Sequence, residues 1–235
     1  ILLINPPAYT PTTFPYSLAA MKAELQLKIN EDIHVMDLNA SFHFSEFNEF
    51  YERLKKKEEN YFELLEEFSN AVKQNYMQIS KKAVKKQEIP ELENLFKQIR
   101  DQKASVLAFS LSYNSQIFIT KQLINKLQLE NPNIKIIVGG PADYSKIMQG
   151  INTGSNVKQL IEFLKEQGAS KTTEANNSTQ QAIPDFSDFN HRHYFTKEII
   201  HPLRTSIACP YKLCTFCTHH GNTNFQLFDL STLKE

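Results

Sequence analysis

The stretch Ile134-Lys135-Ile136-Ile137-Val138-Gly139-Gly140-Pro141 decides how this chain is read. Residues 134–138 are mostly β-branched, and side chains that fork at Cβ suit the pleated, packed surface of a sheet. Two glycines and a proline follow at once and end the strand. Working outward, 117–129 carries Ile117, Thr120, Ile124 and Leu127 on one face of an amphipathic helix. Before that helix, 106–110 is a second strand with Leu107 and Phe109 inside it. The chain opens on a third apolar strand, 1–5, followed by a turn region holding Pro6, Pro7, Pro11 and Pro15. A helix over 16–28, a strand over 33–38 and a helix over 157–165 complete the pattern. Strands separated by helices require right-handed crossovers, so the expected fold class is α/β with a doubly wound parallel sheet.

Glycine placement narrows what that sheet binds. The six glycines are Gly139, Gly140, Gly150, Gly154, Gly168 and Gly221, so nothing in the first 138 residues can form a glycine-rich phosphate loop. Gly139 and Gly140 stand where the fourth strand of the reading ends, the edge at which open α/β sheets place ligands. Without Cβ atoms they would let backbone approach a bulky, flat ligand.

Residues 45–103 exceed what a minimal sheet domain needs. Phe47, Phe50, Tyr51, Leu54, then Tyr61, Leu64, Leu65 and Phe68 recur at helical spacing amid Glu and Lys, giving a helical insertion broken near Pro90 and resumed over 92–99. Such a pattern describes a cap packed on the sheet, with a substrate- or partner-docking surface as the functional alternative. The run from Lys55 to Glu59 is its solvated face. Further on, 168–181 is rich in Ser, Thr, Asn and Lys without an apolar period and reads as a linker, continued by Ile183-Pro184-Asp185-Phe186-Ser187-Asp188-Phe189. The expected organisation is a sheet domain over 1–168, a linker over 169–196 and the start of a second domain over 197–235. His34 is an ordinary strand residue in this reading, and no ligand role follows for His191, His193 or His201.

Composition bounds the function. With 26 basic and 26 acidic side chains the formal net charge is zero, which gives no electrostatic footprint for nucleic acid or an anionic membrane. No apolar run approaches the ~20 residues that span a bilayer. All three cysteines, Cys209, Cys214 and Cys217, fall in one nine-residue window. Thiols so close in sequence are poor disulfide partners, because the short loops rarely reach the required Cβ geometry. Thiolates in such a cluster bind zinc or iron–sulfur, and they indicate a reducing, cytoplasmic compartment. His219 and His220 follow directly, so Cys209, Cys214, Cys217 and His220 are a possible Cys3His zinc set, tighter in spacing than zinc ribbons. Three thiolates on a cubane cluster leave one iron without a protein ligand, open to a substrate or cosubstrate.

At this window the chain resembles the radical S-adenosylmethionine (SAM) superfamily, whose usual signature is CxxxCxxC with an aromatic residue before the last cysteine. Phe216 fills the aromatic position. The first gap, Pro210 to Leu213, has four residues where three are usual, as in a variant among cobalamin-associated members. The resemblance implies a four-iron, four-sulfur cluster on Cys209, Cys214 and Cys217, with SAM chelating the unique iron and Phe216 beside the adenine. It further implies reductive cleavage of SAM to methionine and a 5′-deoxyadenosyl radical, driven by an electron donor such as flavodoxin or ferredoxin. Residues 203–208, the cysteine loop and a helix start at 229–235 resemble the first β/α unit of that family's partial barrel.

The front half resembles the cobalamin-binding domain that precedes many such barrels. The matching segments are Leu2-Leu3-Ile4-Asn5-Pro6-Pro7, Val35-Met36-Asp37-Leu38-Asn39, Leu107-Ala108-Phe109-Ser110-Leu111-Ser112 and Ile137-Val138-Gly139-Gly140-Pro141. In that family the strand-end loops face the corrin and its nucleotide tail, which implies contacts from Asn5, Ser110, Ser112, Tyr113, Gly139 and Gly140. The chain departs from the family in two places. The DxHxxG cobalt-ligand motif is absent, with Asp37 where its glycine belongs, and Thr153-Gly154-Ser155-Asn156 replaces a glycine–glutamate repeat. The implied function is radical modification, methylation included, of a peptide or natural-product substrate. The competing class is a cobalamin- or nucleotide-binding module with a zinc-stapled tail. The chain opens directly on a strand and closes within a helix start, so it is expected to be part of a longer enzyme and inactive by itself.

Overall fold

Five short strands form one parallel sheet: β1 (Leu2–Asn5), β2 (His34–Asp37), β3 (Val106–Ser110), β4 (Lys135–Gly139) and β5 (Asn152–Gly154). Their order is β2-β1-β3-β4-β5, with Leu3 level with Val35 and Ala108, and Ala108 level with Ile137. The computed structural model describes residues 1–56, 59–85, 87–170, 182–211, 213–214 and 224–228.

Period-two alternation along each strand divides the core into two layers. Leu3, Val35, Val106, Ala108 and Ile137 face α1 (Tyr16–Gln26) and α7 (Val157–Glu166), meeting Leu18, Leu25, Leu160 and Leu164. Leu2, Ile4, Leu107, Phe109, Ile136 and Val138 face the other way. They meet α2 (Leu38–Glu46), α5 (Glu93–Asp101) and α6 (Ile117–Glu130) through Leu38, Phe42, Leu95, Phe96, Leu123 and Ile124. Leu3 and Ile4 are fully buried on opposite faces. Each such side chain contributes roughly 1.5–3 kcal/mol of transfer free energy, so the sheet is held from both sides.

The insertion comprises α3 (Asn48–Lys56), α4 (Tyr61–Val84) and a 3-10 turn, Pro90–Leu92, that leads into α5. Asn60 starts α4 by accepting from the Phe62 amide at 2.9 Å. Phe50, Tyr51, Leu64, Phe68 and Val72 build a separate aromatic core around Phe195, while Ile79 and Ala83 further along α4 join the main core. The insertion is thus a cap with its own core, and α5 is the crossover that returns the chain to β3.

Three features depart from the sequence reading. The edge strand β5 was not expected, since its three residues are largely exposed and carry no apolar signal. Residues 182–196, expected as linker, pack on the sheet domain: Phe186 and Phe189 lie against Phe14, and Phe195 is buried beneath the cap. Ser206–Ile207, inside the strand expected over 203–208, forms β6, and it pairs antiparallel with β7 (Gln226–Leu227), a strand that was not expected. Extended runs satisfy their backbone groups by pairing with one another, and that pairing is what these four residues adopt. The helix start expected at 229–235 lies outside the described residues. Among the described residues no helix is long and apolar enough to cross a membrane.

The packed segment is fastened by charge. Lys22, on α1, is only 4% exposed. Its ammonium lies 2.8 Å from Asp185, 2.8 Å from Asp188 and 3.0 Å from the Ser187 hydroxyl. Three donors meet three acceptors, so the buried cation is fully satisfied. Burial works against the Lys22 charge, but the hydrogen bonds to Asp185 and Asp188 outweigh it and hold its pKa above the ordinary value. For Asp185, burial opposes ionisation and the hydrogen bond from Lys22 wins, lowering its pKa to about 2. Asp188 also accepts from the Val35 amide at 2.7 Å, covering a donor on the outer side of edge strand β2.

Candidate functional site

At the carboxyl edge of the sheet, a cavity of about 490 Å³ opens between α1 and α7, over the ends of β3, β4 and β5. Small-molecule sites typically enclose roughly 300–1,000 Å³. Leu18, Met21, Ala108, Ile137 and Leu160 give it apolar walls, and Ser110, Ser112 and Ser155 bring hydroxyl-bearing residues to it. Four residues expected from the sequence line this cavity together: Ser110, Ser112, Gly139 and Gly140. Tyr16, Asn156 and Arg204 line it as well and carried no sequence signal.

The two glycines are required first by backbone packing. A Cβ on Gly139 would stand 2.6 Å from the Gly154 carbonyl oxygen, closer than strands β4 and β5 allow. Gly140 has φ +108° and a Cβ there would meet the Leu111 carbonyl oxygen at 2.2 Å. The loop after β4 therefore lies directly on the loop after β3, with Ala142 N donating to Leu111 O at 3.1 Å and Leu111 N to Gly139 O at 2.7 Å. This contact shapes the cavity floor. On its far wall α7 is closed by a reciprocal cap, in which Asn156 Oδ1 accepts from the Gln159 amide at 3.0 Å and Gln159 Oε1 accepts from the Ser155 amide at 2.6 Å. Thr153-Gly154-Ser155-Asn156 thus supplies the end of β5 and a helix cap.

Asn5 and Tyr113 sit elsewhere, in the crevice between β1 and β3 where the strand order reverses. Asn5 is buried and donates from Nδ2 to Asp37 at 2.8 Å and to the Tyr9 hydroxyl at 2.9 Å. Gln116, fully buried, fills the crevice. It donates to Asn5 Oδ1 at 3.1 Å and to Pro6 O at 2.6 Å, and its Oε1 accepts from the Ser112 and Tyr113 amides at 2.7 and 2.9 Å. Asn5 is therefore a structural tie between loops, with its polar groups already committed. The Tyr113 ring is half exposed and packs against Tyr9 with centroids 4.7 Å apart, leaving it available at the rim.

Asp37 anchors the same network from β2. It accepts from the Ala40 amide at 3.0 Å, capping α2, and from the Tyr194 hydroxyl at 2.5 Å. Burial raises the Asp37 carboxyl above its usual range, against the opposing pull of those hydrogen bonds. Tyr9 and Tyr194 are both pushed upward, by burial first and then by the nearby Asp37 charge, so both remain neutral phenols. His43, one turn along α2, donates from Nδ1 to the Asn39 carbonyl at 2.6 Å, and burial lowers its pKa to about 4. His34 is exposed on β2.

Of the cysteine window, Cys209 is exposed and Cys214 half-buried. Cys217, Phe216, His219 and His220 lie outside the described residues. Among the described residues no group of three or more His, Cys, Asp or Glu side chains is placed to hold a metal ion. Three cysteines in nine residues remain a thiolate donor set suited to iron–sulfur or zinc. The sheet cavity combines apolar and hydroxyl-bearing lining residues in a volume within the small-molecule range. No protein-family model, curated protein or solved structure matches this chain.

Proposed function

We propose that this chain belongs to a radical SAM enzyme with a cobalamin-binding sheet domain, acting by methylation or another radical modification on a peptide or natural-product substrate. In this reading Cys209, Cys214 and Cys217 hold a 4Fe–4S cluster, Phe216 packs beside the adenine of SAM, and the carboxyl edge of the sheet holds cobalamin. When bound, these groups supply reductive cleavage of a sulfonium C–S bond and a transferable methyl group. The chain's own contribution is positional. Leu18, Ile137 and Leu160 shield a flat ring from water, and Ser110 and Ser112 offer hydrogen bonds at its edge. Gly139 and Gly140 keep the floor of the cavity low.

One observation carries the reading. Arg204 lines the sheet cavity and stands five residues before Cys209, so the segment bearing the cysteines passes the mouth of the cavity. That proximity supports a reading in which two cooperating cofactors would share one edge of the sheet.

The test is anaerobic reconstitution of the complete protein with iron, sulfide and cobalamin, followed by reduction with flavodoxin or ferredoxin and assay for 5′-deoxyadenosine. The expected result is a brown, corrinoid-retaining protein that cleaves SAM and loses iron when Cys209, Cys214 or Cys217 is replaced by Ala. A colourless protein containing only zinc, with no SAM cleavage, would replace this reading with a binding module stapled by a Cys3His site.

A further inference from the structure

We propose that the outward face of α4 pairs antiparallel with the same face of a second copy of this chain. The partner-docking role open to the helical cap then falls to a copy of itself.

Glu63, Glu66, Asn70, Lys73, Met77 and Lys81 follow one another at intervals of three and four residues, which sets them in a single stripe along α4. All six are exposed, while Leu64, Phe68, Val72, Ile79 and Ala83 bury the opposite side of the helix. Charge is sorted along the stripe, acidic in its first half and basic in its second. Glu63, Glu66, Lys73 and Lys81 form no ion pair with a described residue, whereas Glu67 and Lys82, beside the stripe, are paired with Arg53 and Glu91. Helix stability does not require this sorting. The macrodipole favours acids and bases only within the first and last turns, and Glu66 and Lys73 stand beyond both. Within the helix, Glu63 has Glu66 and Glu67 at i+3 and i+4, and Lys81 has Lys85 at i+4, so neighbours of like charge repel.

A second copy running the other way compensates both halves at once. With a two-fold axis between Asn70 and Lys73, each Glu63 is level with Lys81 of the other copy, and each Glu66 lies within one turn of that copy's Lys73. A parallel pair would instead set acid against acid and base against base. Exposed ion pairs contribute little affinity, so these charges select the partner and its direction. Apolar contact supplies the rest. Phe62, Met77 and Val84 are 76%, 47% and 61% exposed on the same side of α4. In that register Phe62 meets Val84 of the other copy at either end, and Met77 covers the aliphatic stem of Glu66. One helix pair lies at the small end of interface sizes, so the dimer is weak and salt-sensitive.

Sedimentation velocity of the complete protein, from micromolar to submillimolar concentration, tests this. Wild type should pass from monomer to dimer, with a dissociation constant that rises about tenfold between about 50 mM and about 500 mM salt. Glu63→Lys with Glu66→Lys makes the stripe wholly basic, and Lys73→Glu with Lys81→Glu makes it wholly acidic. Each double variant alone should stay monomeric, and an equimolar mixture of the two should dimerise at least as tightly as wild type. Recovery in the mixture also shows that both variants are folded. A wild type that stays monomeric throughout, whether or not it captures some other protein, overturns the inference. So does a dimer that survives either double variant, or a mixture that fails to associate.

Discussion

Lys22→Met is the sharpest perturbation of the fold. The substitution keeps the aliphatic stem within α1 and removes only the ammonium, so packing changes little. What remains is Asp185 and Asp188 facing one another without a counter-charge, and Ser187 without its donor. Removing one partner of a buried ion pair costs about 3–5 kcal/mol. Here the two carboxylates are 28% and 21% exposed, which lets water recover part of that cost. The lower end applies: about 3 kcal/mol, or roughly a hundredfold in the equilibrium between docked and released segment. Hydrogen exchange resolved to residues 182–196 and to the Val35 amide measures this directly, because Asp188 accepts from Val35 only when the segment is docked. The pH dependence has a definite sign. Asp185 titrates at about 2 when docked, below its usual 3.8, so its contribution is present above pH ~4 and is lost as pH falls towards 2. In Lys22→Met that acid-side loss should vanish. Adding Asp185→Asn and Asp188→Asn to Lys22→Met should restore docking to within about 1 kcal/mol, since a neutral set needs no counter-charge. Unchanged protection of Val35 in Lys22→Met, or no rescue in the triple variant, would refute the reasoning.

Three further outcomes follow from the geometry. Gly140→Ala, with φ +108° and a 2.2 Å contact to the Leu111 carbonyl, should lower unfolding free energy by more than about 2 kcal/mol, whereas Gly150→Ala, with open space around it, should cost only about 1 kcal/mol. Urea titration of the two variants side by side checks the difference. Gln116→Leu leaves the Ser112 and Tyr113 amides, the Asn5 side-chain oxygen and the Pro6 carbonyl without their Gln116 partner and should cost about 3 kcal/mol, with loss of exchange protection at 112 and 113. Burial holds His43 near pKa 4 against an ordinary 6.5, so the unfolded chain binds more protons across that interval. Stability should then fall by up to about 1.4 kcal/mol per pH unit from 6.5 down to 4, a slope that His43→Leu removes in chemical denaturation.

The sheet was legible wherever strands are buried on both faces. Residues 106–110 were read with the bounds that Val106–Ser110 adopts, because Val106, Leu107, Ala108 and Phe109 are all buried. β5 was not legible: Asn152 and Thr153 are exposed, and Gly139, lacking a Cβ, lets the β4 backbone lie against that of Gly154. The cavity was half legible. The family resemblance put forward Ser110, Ser112, Gly139 and Gly140, the two glycines also by their strand-end position, and all four line the cavity. Tyr16 and Arg204 reach it from segments distant in sequence, and no local pattern announces that. Asn5 shares the strand-end position yet turns inward, because Gln116 and Asp37 consume its amide. The docked segment was hidden for a related reason. Asp185, Ser187 and Asp188 continue a linker in the sequence, and only the placement of Lys22 opposite them gives them a partner.

The contact between Asp188 and Val35 has a bearing on biosynthesis. A ribosome delivers β2 long before residue 188, and through that interval the rim of the nascent sheet lacks its acidic stopper. Bare rims recruit strands from neighbouring chains. The nascent polypeptide is therefore most prone to self-association after its sheet has assembled and before its aspartate arrives, and a product ending ahead of that residue would carry the vulnerability permanently.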